Sequence, residues 1–290
     1  MDTRLVWDIV CKIRETSPLV HNITNFVVMN NTANGLLALG ASPIMAHAGA
    51  ELEDLLDLAS TLVLNIGTLS EEWGATMIRA AKLAARKNLP VVVDPVGAGA
   101  SAMRTQLALA LIEFSGARTV VRGNASEILA VCGRKADTHG VDSRGGEREA
   151  LQAAESLALT RKCVVVVSGE RDIITDGKDT YLVHGGHPMM QRVTGLGCTA
   201  SAVVGACAGV ADSLLAAGVA GMAVMSAAGG LAAAKSAGPG SLQVNFLDAL
   251  YNLSEGDLSG QMKIEDKYQT SPDFMKDRNQ PPNQEREEIL

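Results

Sequence analysis

Basic charge is in short supply. The chain has 25 Lys and Arg against 32 Asp and Glu, a net charge of −7, and only 20% of its 290 residues are charged. That balance lacks the electrostatic footprint of a nucleic-acid binder. The five cysteines (11, 132, 163, 198 and 207) are odd in number and form no Cys-x-x-Cys. Neither a disulfide framework nor a zinc site is indicated, and a reducing compartment fits. No Gly-x-x-x-x-Gly-Lys-Ser/Thr run occurs, which excludes a P-loop kinase. The start, Met-Asp-Thr-Arg-Leu-Val-Trp-Asp, has acids where a signal peptide wants bases and an apolar run, so a cytoplasmic location is expected. No internal repeat is visible.

What is present centres on Val193-Thr-Gly-Leu-Gly-Cys198-Thr-Ala-Ser-Ala202. Gly195 and Gly197 precede Cys198 and a long Ala-rich segment. The pattern predicts a tight glycine turn feeding a helix N-terminus. Glycine lets the backbone lie against a ligand, and the first helical turn has unpaired N–H groups and partial positive charge. Together they suit a phosphate, and a cysteine there is expected to favour its thiolate. The bland reading is a turn that only lets the helix pack closely. Gly195-Leu-Gly197-Cys-Thr-Ala200 also fits the dinucleotide fingerprint. That fingerprint wants an acid about 20 residues on, and none occurs between Asp212 and Asp248. The uncharged stretch 213–234 is long enough to span a bilayer, but it is rich in Ala and Gly. Small-residue helices packed in a core are expected instead, broken near Gly218.

Along the chain, strand and helix patterns alternate. Helices are predicted over 3–14, 51–60, 71–87, 103–115, 147–159, 198–217, 219–236 and 241–253. A further helix is capped by Thr24 or Asn25 and ends at Gly40. Buried strands are predicted at 18–22, 41–47, 61–68, 89–94, 118–122 and 162–168, with a hairpin turning at Asp176-Gly177. His184-Gly-Gly-His187 has a metal-like spacing but reads as a turn. Residues 134–146 read as a loop or flap. Met45 and His47 fall near the end of the brief strand at 41–47, and polar residues fall at other strand ends: Asp94, Arg122 with Glu127, Ser168, and the loop before Cys198. Asp94 is either at a ligand-facing carboxyl strand end or a cap for the next segment, and Glu127 either serves the site or favours a first helical turn. Met45 by itself is an ordinary core residue. The alternation predicts an α/β fold of three layers, a mostly parallel sheet flanked by helices, in one domain over residues 1–264. Residues 265–290 turn charged and Pro/Asn/Gln-rich and are expected to be a disordered tail.

If the strands are parallel, an anion hole, a cation and two carboxylates meet at one edge. That set suits phosphoryl transfer, which is mostly positioning and charge neutralisation. The pieces that carry a resemblance are Val20–Asn30, Asn34–Met45, Leu64–Thr68, Val93–Gly99, Arg122–Glu127 and Val193–Cys198, in order over roughly residues 4–255. In these blocks the chain resembles the hydroxyethylthiazole kinases, thiamine-salvage enzymes of ribokinase-like fold. The resemblance implies ATP-dependent phosphorylation of 4-methyl-5-(2-hydroxyethyl)thiazole with Mg²⁺. It implies that Arg122 and Ser168 contact ATP, that Met45, Gly195 and Asn25 contact the thiazole, and that Asp94 and Glu127 serve the metal and phosphates. It puts Cys198 where ribokinases have an aspartate base, with Gly195, Gly197 and Cys198 as the anion hole. It implies a homotrimer with the site between subunits. Ser168 stands where the family pattern has Thr. The alternatives are a kinase of another small alcohol, such as hydroxymethylpyrimidine or a sugar, or a nucleotide-binding protein without turnover.

Overall fold

In the computed structural model, which describes residues 1–134 and 144–267, nine strands form one sheet. In chain order the elements begin α1 (Thr3–Thr16), β1 (Leu19–Ile23), α2 (Met29–Leu39), β2 (Ser42–Met45), α3 (Leu52–Leu58), β3 (Thr61–Asn65) and α4 (Glu71–Arg86). They continue β4 (Val91–Asp94), α5 (Ala102–Phe114), β5 (Thr119–Asn124), α6 (Ala125–Val131), α7 (Arg144–Arg161), β6 (Val164–Ser168), β7 (Arg171–Thr175) and β8 (Thr180–His184). The last are α8 (Leu196–Ala208), α9 (Leu214–Ala234), α10 (Pro239–Asn252), α11 (Glu255–Gln261) and β9 (Lys263–Asp266). The sheet order is β2-β1-β3-β4-β5-β6-β7-β8-β9, parallel from β2 through β6 and antiparallel beyond.

The strands read as unbroken apolar runs because both faces are covered. Val63, Val92, Val120 and Val166 pack with α1, α2 and α8 to α11. Their neighbours Leu62, Leu64, Val91, Val93, Val121, Val165 and Val167 pack with α3 to α7 on the other face. This is the expected three-layer arrangement.

Four expectations are corrected. First, α2 starts at Met29, and its cap residue Val28 makes no side-chain cap bond. Thr24 and Asn25 are buried before it. Second, the Ala-rich segment breaks at residues 209–213, where Ser213 caps α9, and Gly218 lies inside that helix. A Cβ at Gly218 would come within 2.9 Å of Ile174 Cγ2. The glycine thus serves helix-on-sheet packing and does not break the helix. Third, Glu265 and Asp266 belong to β9, paired with Leu182 and Tyr181, so the fold runs past 264. The rest of the tail, 268–290, lies outside the described residues, as does most of the expected flap. Fourth, the expected helix over 51–60 is shorter, because residues 49–51 form a 3-10 turn before α3.

Helix α9 is the one described helix long and apolar enough to cross a membrane, yet 83% of its apolar window is buried inside the protein. Of His184-Gly-Gly-His187, His184 ends β8 and the rest forms the loop into a 3-10 helix over Pro188–Arg192. Gly185 and Gly186 take positive φ, and the His187 side chain accepts a bond from Met189 N at 3.2 Å.

Candidate active site

The parallel strands end on one edge, and that edge carries the polar residues. Strand β4 ends on Asp94, which is only 1% exposed. One oxygen, Oδ2, accepts from Asn65 Nδ2 at 2.6 Å and from Ser201 Oγ at 2.8 Å. Asn65 ends the neighbouring strand β3, in register with Asp94. Its Oδ1 accepts from Asn25 Nδ2 at 2.8 Å. Asn25 Nδ2 also approaches Cys198 Sγ at 3.5 Å. A continuous polar network therefore runs from Cys198 through Asn25, Asn65 and Asp94 to Ser201. Cys198 and Ser201 stand three residues apart on α8, one helical turn, so both face the same way.

Gly195 caps α8 with φ of 87°, a left-handed conformation that glycine adopts without a Cβ penalty. The first intrahelical bond is Thr199 N to Gly195 O at 2.8 Å. The amides of Leu196, Gly197 and Cys198 lie in the turn that has no intrahelical acceptors. Arg122, 7% exposed, donates from Nη1 to Gly197 O at 2.8 Å. Its buried Nε has no partner among the described residues. The guanidinium is thus held against the first turn of α8, where three amides lack intrahelical acceptors, a pairing that suits an anion.

Glu127 is placed differently from a free ligand. Its Oε1 accepts from Gly97 N and its Oε2 from Asn124 N, both at 2.9 Å. With Asn124 Oδ1 accepting from Glu127 N it forms a capping box on α6. It clamps the loop after β4 to the end of β5, and its charge reaches Asp94. Ser168, at the end of β6, donates to Gly123 O at 3.3 Å, beside Arg122. Met45 lies outside the network, at the end of β2, opposite Asn22 of β1. Asn25, Asp94, Arg122, Gly195, Gly197 and Cys198 are brought together; Ser168, Glu127 and Met45 lie around them.

The electrostatics correct one expectation. Burial, then the Asp94 charge, push the Cys198 thiol up to about 11, against the pull of Asn65, Asn25 and Arg122. The helix terminus does not produce a thiolate here. Asp94 is itself pushed up to about 7 by burial and by Glu127, while Arg122, Ser201 and Asn65 pull it down.

Four residues of this edge escape a reading of local motifs. Asn65 and Ser201 hold Asp94. Asp172, 7% exposed, accepts from Gly169 N at 3.1 Å in the turn after Ser168. Burial pushes it up to about 7, with Arg122 among the groups opposing that shift. Arg104 donates to the carbonyls of Ile66, Gly67 and Val96 at 2.6–2.8 Å, tying the loops after β3 and β4. Asn65 was detectable, since it ends a buried apolar run as Asp94 does. Nothing local marks the other three.

Comparison with known proteins gives the chain a family. Residues 10–256 match the hydroxyethylthiazole kinase family. A hydroxyethylthiazole kinase from Oleidesulfovibrio alaskensis is 54% identical over 259 residues, covering 89% of this chain and 97% of that protein. The structure of a hydroxyethylthiazole kinase protein from Pyrococcus horikoshii superposes with a TM-score of 0.84 at 39% identity, covering 91% of this chain and 99% of that one. A pyridoxal kinase from Staphylococcus aureus, bound to AMP-PCP and pyridoxal, matches with a TM-score of 0.53 at 15% identity over 74% of this chain and 88% of that one. That last likeness is one of fold alone. A ribokinase-like sheet, a glycine turn that accepts Arg122 at Gly197 O, and a match across nearly the whole described chain lead to one conclusion: the protein belongs to the hydroxyethylthiazole kinase family.

Proposed function

We propose that the protein transfers the terminal phosphoryl group of ATP to the hydroxyl of 4-methyl-5-(2-hydroxyethyl)thiazole, in thiamine salvage. The observation that carries this reading is the Arg122 guanidinium held on the first turn of α8, at Gly197 beside Cys198. The new bond joins the alcohol oxygen to phosphorus, and the bond from phosphorus to the departing ADP oxygen breaks. A loose transition state spreads charge over the phosphoryl oxygens. The amides of Leu196, Gly197 and Cys198, with Arg122, stabilise that charge. Arg122 and Ser168 hold ATP; Asn25, Met45 and Gly195 hold the thiazole.

Cys198 orients the hydroxyl as a neutral thiol. With its pKa about 11 it takes no proton at neutral pH; the alcohol proton leaves late, once the oxygen is bonded to phosphorus, and passes to an oxygen of the transferred phosphate and from there to water. Magnesium fits this site as an ion brought in with ATP. Among the described residues no cluster of three His, Cys, Asp or Glu could cage a metal. Each Glu127 oxygen already accepts a backbone amide, and Asp94 Oδ2 accepts two side-chain donors. Their remaining lone pairs suit the waters that Mg²⁺ keeps, and Asp94 and Glu127 would hold the ion through them. When bound, it supplies neutralisation of phosphate charge. By the family resemblance the protein works in the cytoplasm as a homotrimer with the acceptor site between subunits.

The test is ATP consumption with hydroxyethylthiazole, hydroxymethylpyrimidine and ribose offered separately. Turnover is expected with the thiazole alone. Turnover restricted to another alcohol, or none with any, overturns the reading. The role of Cys198 has its own test. Cys198→Asp keeps a polar, compact group beside Asn25 and is expected to retain kcat within about tenfold, because positioned donors outweigh base help here. An inactive Cys198→Asp protein with native circular dichroism would contradict that role.

A further inference from the structure

Aromatic residues make up only 3% of the chain, with 4 Phe, 2 Trp and 3 Tyr. Yet Phe26, His47 and Trp73 converge at the rim of this edge. The Trp73 ring centroid is 4.6 Å from that of Phe26 and 4.6 Å from that of His47. Phe26 and His47 meet edge to face at 6.4 Å and 79°. These are the spacings that aromatic pairs favour. Trp73 is the base of the group. It lies in the first turn of α4, behind the Ser70 cap, and is 8% exposed within the core. The two rings above it are open to solvent; Phe26 is 61% exposed.

Both outer rings hang from backbone that the site already fixes. Phe26 follows Asn25, whose amide reaches Cys198, and Phe26 N donates to Thr68 Oγ1 at 3.1 Å. His47 stands two residues beyond Met45, and buried His21 Nε2 lies 2.9 Å from the carbonyl of the intervening Ala46. The hydroxyl to be phosphorylated belongs at Cys198. A ring that then passes Asn25 and Met45, its contacts in the proposed function, meets Phe26 and His47, which follow those residues in the chain.

We propose that Phe26 and His47, seated on Trp73, form the outer wall of the acceptor pocket and select planar heteroaromatic alcohols over aliphatic ones. The proposal deepens the thiazole-kinase reading and rests on it. Trp73 is a positioning residue, since it acts through the two rings that it supports.

The experiment uses the full chain. Phe26→Ala and His47→Ala are expected to raise KM for hydroxyethylthiazole about five- to tenfold, the range that one lost aromatic contact allows. The KM for ATP and the kcat stay within about twofold, and the preference for the thiazole over an aliphatic alcohol falls by the same factor. Trp73→Phe keeps a ring beneath the wall and preserves KM, whereas Trp73→Ala raises it. A binding readout checks the contact without turnover. With two tryptophans in the chain, Trp7→Phe leaves Trp73 as the sole emitter, and Trp7 packs on the opposite face of the sheet. Hydroxyethylthiazole is expected to change that emission, and Phe26→Ala to weaken the titration. If wild type turns over the thiazole and both alanine variants match its KM, the wall is overturned and the kinase reading stands. Unchanged KM with an altered oligomeric mass in Phe26→Ala assigns the ring to contact between copies and also overturns it. If wild type turns over no thiazole, the kinase reading fails and takes the wall with it.

Discussion

Gly197→Val is expected to cut kcat/KM by at least about 10³-fold while leaving the fold intact. Gly197 is the second residue of α8, and its carbonyl accepts the Arg122 guanidinium at 2.8 Å. A Cβ at this position would lie 3.3 Å from Arg122 Nη1. An alanine methyl fits if that side chain yields by a few tenths of an ångström, so Gly197→Ala is expected to keep activity within about tenfold. Valine adds two methyl groups on the side that faces Arg122. They displace the guanidinium and cover the amides of the turn. The helix itself tolerates the change, because glycine is a poor helix former and any side chain narrows the unfolded ensemble. Stability and activity should therefore separate, with Tm near wild type and turnover lost. Gly195 provides the contrast. At φ of 87° any other residue is strained, by about 1–2 kcal/mol, and a Cβ would meet Val28 Cγ1 at 3.0 Å. Gly195→Ala should lower Tm and activity together. Steady-state kinetics in both substrates beside thermal melts decide the matter. A Gly197→Val enzyme within about tenfold of wild type would remove the anion hole from the mechanism.

The contrast between these glycines also marks what a sequence can disclose. The turn, the helix after it and the strand ends at Asp94 and Ser168 are all local patterns, whereas Arg122 lies two residues inside β5, which runs on to Asn124. An apolar run ending in a polar residue places that residue at a sheet edge whatever the rest of the chain does. Long-range pairing is a different matter. Asn25 looks like a cap because Asn caps helices, but its amide is taken by Asn65, forty residues on. Gly218 looks like a break, but a continuous helix needs a missing side chain where Ile174 and Val166 press on it. Glu265 and Asp266 look like tail because they are charged, and charge is what blunts an exposed edge strand such as β9. The Cys198 error is of the same kind. A helix terminus favours a thiolate, but the sulfur is largely removed from water and feels the Asp94 charge, and both push the thiol up. No window of residues around 198 reports that burial.

Asp94→Asn should lose activity as Gly197→Val does, but together with a pH-dependent gain in stability. Asp94 has its folded pKa at about 7, raised from 3.8 mainly by burial. The sign follows from proton counting. Between these two values the folded chain keeps a proton that the unfolded chain has released, so stability falls as pH rises through that window and stays low above it. Asparagine cannot ionise, so the variant lacks this slope. Its side-chain oxygen can still accept from Ser201 and Asn65, so the network's geometry survives. The stability of the variant relative to wild type should rise between about pH 4 and about pH 7, by at most about 4 kcal/mol, the full shift at about 1.4 kcal/mol per unit. Asp172 is raised in the same direction, but it is present in both proteins and cancels in the difference. Turnover should fall by about 10²- to 10⁴-fold, because the carboxylate that faces Arg122 and the metal's waters is gone. Denaturant midpoints of the two proteins, measured across that pH range, test the argument. Parallel curves would mean that Asp94 is already ionised in the folded state at low pH. The buried network would then hold a full negative charge, and the balance between burial and Arg122 would lie on the side of Arg122.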